Sequence, residues 1–160
     1  MASIKYKEPF KTFRFLVEVE GTAGTVVAAF SKFSGVKMQV ETVKVRTGAD
    51  HRGVLEHIPA ITHFENVTLT KGVIGDNEFL DWILAVAPDS TNAPTGKDKY
   101  RTINIVALDE NGKRGITWSL INALPVAYEL QPMDGQESAV LSESMEFAIH
   151  GFKRVTRNPA

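Results

Sequence analysis

Apolar and polar residues alternate along most of this chain. Phe13, Phe15, Val17 and Val19 alternate with Arg14, Leu16, Glu18 and Glu20. Successive side chains on a strand point to opposite faces, so this pattern predicts a half-buried strand. Gly21 to Thr25, "GTAGT", is the turn after it, and "VVAAFSKF" is the next strand, ending at Ser34-Gly35. Further strands are predicted at "NVTLTKGV", "TINIVAL", "GITWSLI", "PVAYEL" and "SMEFAIHGF". Asn111-Gly112, between Ile103–Leu108 and Ile116–Ile121, marks a tight hairpin, because both residue types tolerate positive φ. One segment has helical spacing, "GDNEFLDWILAVAP". Asp76 is placed to cap it, Glu78 suits its positive end, and Pro88 stops it. Phe79, Ile83 and Leu84 form its apolar face, with Leu80 beside them. About ten residues of helix need tertiary packing to persist, and Trp82 is expected to dock it over an end or flank of the sheet.

One ribbon breaks the alternation. In "FSKFSGVKMQVETVKVRTG", residues 30–48, Val36, Met38 and Val40 place apolar groups on one face. Thr42, Lys44 and Arg46 continue that face as polar groups, while Val43 and Val45 move the apolar character to the other. A strand from Val36 to Gly48 would be about 43 Å long at about 3.3 Å per residue. Two readings explain the flip. A β-bulge at the corner of a sandwich shifts the phase by one residue. Alternatively, the first half packs on the subunit's own core and the second half leaves it to meet a neighbour or another sheet.

Two stretches lack a core pattern: residues 46–61, "RTGADHRGVLEHIPAI", and residues 87–100, "APDSTNAPTGKDKY". Both read as loops. No repeat, charge block or linker divides the chain, so residues 1–160 are read as one domain. The fold class expected is mainly β, an antiparallel barrel or sandwich with one short flanking helix.

Composition changes this picture little. A 43% hydrophobic fraction and 23% charged residues fit a globular domain. The formal net charge of -1 gives no hint of a nucleic-acid or acidic-lipid partner. With no cysteine, disulfide scaffolds and thiolate chemistry are excluded. The first residues, "MASIKYKEPFKTFRF", have no apolar core of a secretory signal, and no run approaches a membrane span.

A search for chemistry returns nothing. His51, His57, His63 and His150 show no metal-ligand spacing. Glu143 and Glu146 are at odd spacing in a strand and face opposite ways, so they make no acid/base pair. Ser142 and Ser144 lack a nucleophile-elbow context. Lys97 follows Gly96 without the earlier glycine of a phosphate-binding loop. Lys153, Arg154 and Arg157 are too few for a nucleic-acid surface. No catalytic, cofactor or metal residue is assigned.

The order of the pieces does carry information. "RFLVEVEG" precedes "AFSKFSGVKMQVETVKVRTG", then "ENVTLTKGV" and a helix containing "FLDWI". After the polar loop come "RTINIVALDENG", "ITWSLINALPVAYE" and "SESMEFAIHGFKRV". From about Phe13 to Val155 this resembles the phage T4-like tail-tube protein family, in the style of the inner-tube proteins of extracellular contractile injection systems. The most specific pieces are Phe30-Ser31 with Ser34-Gly35, the Thr70-Lys71-Gly72 turn leading to Trp82, and Trp118 followed by Asn122-Ala123-Leu124-Pro125. The family's paired glycines after the long strand are represented here by Arg46-Thr47-Gly48.

The resemblance implies a β-barrel with a flanking helix, similar to the secreted ring protein of type VI secretion. It implies homo-hexameric rings stacked into a hollow tube inside a contractile sheath, and no catalysis. Implied partners are the sheath protein, baseplate and terminal cap proteins, and cargo or a tape-measure protein in the lumen. No membrane insertion and no cofactor is implied. Such a particle is assembled in the bacterial cytoplasm and can be released. A tube-initiating paralogue at the baseplate and a secreted ring-forming effector carrier are the alternatives.

Residue expectations follow. Val43 and Val45 are expected at the ring interface. Val54, Leu55 and Ile58 are expected to stack one ring on the next, together with the segment Met1 to Lys11. A channel wall needs few sticky groups, and two polar sets could line it. Lys37, Gln39 and Glu41 are preferred for the lumen over Arg14, Glu18 and Glu20, because the resemblance puts the long ribbon on the inner wall.

Overall fold

The computed structural model describes residues 9–12, 14–21, 24–28, 30–46, 48, 53–73, 78–87 and 99–156, with backbone alone at 21, 24–28, 78 and 79. The elements are β1 (Phe15–Gly21), β2 (Gly24–Ala28), β3 (Lys32–Phe33), β4 (Met38–Val45), β5 (Glu56–Phe64) and β6 (Val67–Gly72). They continue with α1 (Glu78–Val86), β7 (Arg101–Leu108), β8 (Arg114–Leu130), β9 (Ser142–Ala148) and β10 (Gly151–Thr156). Every pairing recorded is antiparallel. The mainly β class with one helix is as expected.

Eight strands form one hydrogen-bonded path, β2-β1-β7-β8-β9-β6-β3, with β10 added beside β8. The path turns into two facing layers because β8 serves both. Its first half, Arg114 to Ala123, pairs with β7, and Ile116 to Ile121 also pair with β10. Its second half, Leu124 to Leu130, pairs with β9. The turn falls at Asn122, the one non-glycine residue with positive φ (51°) among those described. Asparagine enters this left-handed region more readily than most side chains. His150 locks the corner from the facing ribbon. Its backbone N–H donates to the carbonyl of Ile121 at 3.1 Å. Its Nδ1 lies 2.9 Å from the carbonyl oxygen of Asn122. A carbonyl only accepts, so Nδ1 carries the proton.

The core fills the space between the layers. Val17, Val19, Ile103, Ile105 and Leu120 come from one layer, and Val67, Leu69, Met145 and Phe147 from the other. Trp82 docks α1 over them, as expected, with its ring 5.3 Å from Phe147 and its Nε1–H donating to the Lys99 carbonyl at 3.2 Å. The expected helix face is corrected at Leu84, which is 57% exposed. Trp82 takes the inward position, and Ile83 and Val86 complete the face. Asp76 and Pro88 lie outside the described residues, as does the side chain of Phe79.

Four strand boundaries differ from the sequence reading. "VVAAFSKF" divides, since β2 pairs with β1 and β3 with β6, so one run of sequence supplies both ends of the path. "GITWSLI" and "PVAYEL" join into the 17 residues of β8. Pro125 is tolerated because the register shifts there, leaving Val126 as the extra residue, and a bulge needs no regular N–H donor. "SMEFAIHGF" divides at the His150 corner into β9 and β10. Residues 56–61, read as loop, form most of β5. The hairpin at Asn111-Gly112 is present, with Gly112 at φ 75° and Asp109 Oδ1 accepting from the Asn111 and Lys113 N–H groups at 2.9 and 2.8 Å.

Among the described residues two charged side chains are buried. Glu18, expected on the outer face, is 6% exposed because the Arg114 guanidinium covers it, donating from Nη1 to Oε2 at 3.1 Å and from Nη2 to Oε1. Lys71 takes the inward position at the end of β6, with its ammonium 3.4 Å from Glu143. The Tyr128 hydroxyl donates to the other Glu143 oxygen at 2.6 Å. That bond to a carboxylate raises the pKa of the phenol above its usual range.

Candidate assembly surface

β4 and β5 form a separate two-stranded sheet. All eight residues of β4 are exposed, and so are the first eight of the nine in β5. A lone two-stranded ribbon is marginal in water, so a fold that projects one presents a surface to be covered. At about 3.3 Å per residue the arm is roughly 26 Å long, shorter than the 43 Å drawn from the sequence because β4 runs only from Met38 to Val45. Its root is tied down by Phe64, whose ring meets Phe152 edge-on at 6.2 Å, and by Val36, which packs on the core.

The register rules out a bulge in β4 as the cause of the phase flip. Met38 pairs with Phe64 and Val40 with Thr62, but Thr42 pairs with Pro59. Between those pairs β4 contributes Glu41 and β5 contributes Ala60 and Ile61. The bulge is therefore in β5, and β4 keeps its alternation throughout. Directly opposed residues share a face. One face carries Met38, Val40 and Phe64 near the root, then Thr42, Lys44 and His57 toward the tip. The other carries Gln39, Glu41 and His63 near the root, then Val43 with Ile58 and Val45 with Glu56 toward the tip. Diagonal contacts agree with this assignment. Thr42 Oγ1 is 3.3 Å from His57 Nδ1, and Glu41 Oε1 is 3.1 Å from His63 Nε2.

The expected site residues fall as follows. Val43 and Val45 are 54% and 39% exposed on the outer half of the arm. Ile58, grouped by sequence with Val54 and Leu55, instead stands opposite Val43. Val54 and Leu55 lie just before β5, at the arm's far end, and both are exposed. Lys37, Gln39 and Glu41 are on the same face as Val43 and Val45. Lys37 pairs with Glu65 at 2.7 Å. The alternative wall set fails at Glu18, which is covered by Arg114. The segment 1–8 lies outside the described residues. Of its continuation, Phe10 rests its ring against Gly115, where a Cβ would collide with it, and Lys11 pairs with Glu110 at 2.9 Å.

Sequence reading did not find a groove of about 560 Å³ beside the root of the arm. Phe15, Phe33, Trp118 and Phe152 wall it, and Lys11, Arg14 and Lys32 stand on it. Arg14 turns its guanidinium to the Glu110 carbonyl at 2.6 Å. No group of three or more potential metal ligands occurs among the described residues. No helix there is long and apolar enough to cross a membrane.

Comparison with known proteins gives the context. No curated protein sequence matches the chain. Among solved structures, a chain of the anti-feeding prophage baseplate is similar with a TM-score of 0.78 and 21% identity, covering 94% of this chain and 98% of that one. A chain of the sheath–tube complex of the extracellular contractile injection system PVC, in its extended state, has a TM-score of 0.76 and 22% identity, with coverages of 96% and 95%. Hcp1 from Flavobacterium johnsoniae is more distant, at 0.50 and 11%, with coverages of 89% and 96%. At these identities the likeness is one of fold. Sequence carries the assignment further, since the family model for the T4-like virus tail tube protein gp19 matches residues 11–153. With that match across nearly the whole chain, the protein belongs to the T4-like tail tube protein family.

Proposed function

We propose that the chain is the structural inner-tube subunit of a contractile, phage-tail-like injection particle. Six copies form a ring, rings stack into a hollow tube, and sheath contraction drives the tube through a target envelope. Its partners are further copies of itself, the sheath, the baseplate and the terminal cap, and cargo or a tape-measure protein occupies the lumen. The particle is assembled in the bacterial cytoplasm and released. The observation that carries this reading is the arm, a ribbon exposed on both faces whose outer half is apolar on the side away from the subunit's own packing. The fold likeness to chains from baseplate and sheath–tube assemblies supports it. Negative-stain microscopy of the purified protein tests it. Long tubes are expected. Isolated rings would instead favour a tube initiator or an effector carrier, and monomers would overturn the reading.

Within the tube, Lys37, Gln39 and Glu41 line the lumen. Phe64 and Val36 turn the opposite face of the arm root inward, so this polar face looks away from the core. Lys37 is paired with Glu65 and Glu41 is hydrogen-bonded to His63, which keeps a wall wetted without strong net attraction. The same face becomes apolar at Val43, so a neighbour must cover the outer half. With Gln39→Cys in this cysteine-free chain, a bulky maleimide added to capped tubes is expected to label far more slowly than a cysteine on the outer surface. Equal rates would reject the lumen assignment.

A further inference from the structure

The geometry points to the groove beside the arm root as the seat for the outer half of the arm of a second copy. This rests on the tube reading above and specifies which surfaces meet. Arm and groove are both apolar, both left open by the described residues, and placed on separate parts of one chain. The outer arm face presents Val43, Val45 and Ile58 as a narrow stripe. The groove presents the rings of Phe15, Phe33, Trp118 and Phe152. One is convex and the other concave, and patches that differ in this way join copies head to tail, as a closed ring requires.

Charge supports the same pairing. The apolar stripe is flanked on its own face by Glu41 and Glu56, both acidic. The arm's basic residues at the same level, Lys44 and Arg46, alternate onto the opposite face. The groove is edged by Lys11, Arg14 and Lys32, all basic. Lys11 shares its charge with Glu110, and Arg14 serves the 109–110 turn. Lys32, exposed on the short end strand β3, is thus the cation best placed to meet an incoming carboxylate. An arm entering by its valine face brings Glu56 toward that edge and turns Lys44 and Arg46 outward. Entry by the other face would set like charges together, which is unfavourable. Val36 belongs to both the groove lining and the arm root. A second copy seated there therefore lies against the arm this copy extends, and the contact repeats from subunit to subunit.

The test uses the absence of native cysteine. Val43→Cys protein and Lys32→Cys protein are prepared separately, mixed, allowed to assemble and oxidised. The mixture is expected to give a covalent dimer that neither protein gives alone. Rings without that dimer would overturn the docking and leave the tube reading standing. Monomers by mass measurement would overturn both. Dimers from the Val43→Cys protein alone would mean that arms pair with arms, also overturning it. A link within one chain between Ile4→Cys and Lys32→Cys would give the groove to the chain's own N-terminal segment, with the same consequence. Charge exchange supplies a check that needs no cysteine. Lys32→Glu is expected to lose ring formation, and Lys32→Glu with Glu56→Lys to regain it. Equal loss in the single and the double variant would overturn the pairing.

Discussion

Val43→Asp with Val45→Asp is expected to abolish ring formation while leaving the subunit folded. Both side chains are substantially exposed in the single chain, so a carboxylate there is solvated and costs the fold little. In an assembly that covers them, the exposed half of each valine contributes roughly 0.7 kcal/mol or more through burial. Two per contact amount to roughly 1.4 kcal/mol, about tenfold in affinity, before the larger cost of desolvating the new charges is added. That loss recurs at every interface of a ring, so closure fails cooperatively. Native mass measurement should find monomers, and thermal unfolding should give a midpoint close to that of the parent protein. Rings from the double variant would remove Val43 and Val45 from the interface. A collapsed melting temperature would show that the arm helps to hold the subunit together.

Val54→Asp with Leu55→Asp is expected to separate two levels of assembly, leaving rings and abolishing tubes. Both residues are exposed, at 61% and 47%, and both precede the first ladder pair of β5, Val45 with Glu56. The substitutions therefore leave the ladder and the valine stripe intact. Two apolar side chains at the far end of a projecting arm have no partner within the described subunit, and loops on a rigid scaffold commonly carry contacts of this kind. Electron microscopy would find single rings where the parent forms tubes. Normal tubes would assign stacking elsewhere.

Alternation was a faithful guide where one face of a strand meets the core and the other does not. β6 is of this kind, and Val67 and Leu69 are buried as their spacing predicts; Val17, Val19, Ile103 and Ile105 are buried too, although Glu18 and Val106 on the other faces of β1 and β7 are also covered. It failed for "EHIPAITHF", because β5 has no buried face for eight residues, and a strand without one has no pattern to read. It also failed at corners. The ladder between β8 and the β9–β10 ribbon runs through Asn122 and His150 with little change of register, and only backbone geometry marks the bend. Glu18 looked like a surface residue because its cover, Arg114, lies far along the chain. The groove was invisible for the same reason, since residues near 15, 33, 118 and 152 build it together. The phase flip, in contrast, was legible. β4 keeps strict alternation and still exchanges its apolar face, leaving Val43 and Val45 exposed on the side opposite Met38 and Val40.

The pairing of β1 with β7 sets Val17 against Ile105 and Val19 against Ile103. Its consequence lies in synthesis. A ribosome that has released β1 and β2 can offer them only each other, because the other partner of β1, β7, is still some eighty residues away. The β4–β5 ribbon, in contrast, can zip as soon as it emerges. Chains dominated by distant strand pairings fold slowly, because loop closure costs entropy before the contacts repay it. The layer containing β6 is completed only when β9 emerges. Each nascent chain thus forms its exposed ribbon before its own body is complete. Crowded polysomes would bring such half-made chains together, and a long sticky ribbon is a hazard at that stage. The His63, Glu41 and Lys37 end of the ribbon, polar on one side and bulged next to Glu41, makes half of it a poor template for premature pairing.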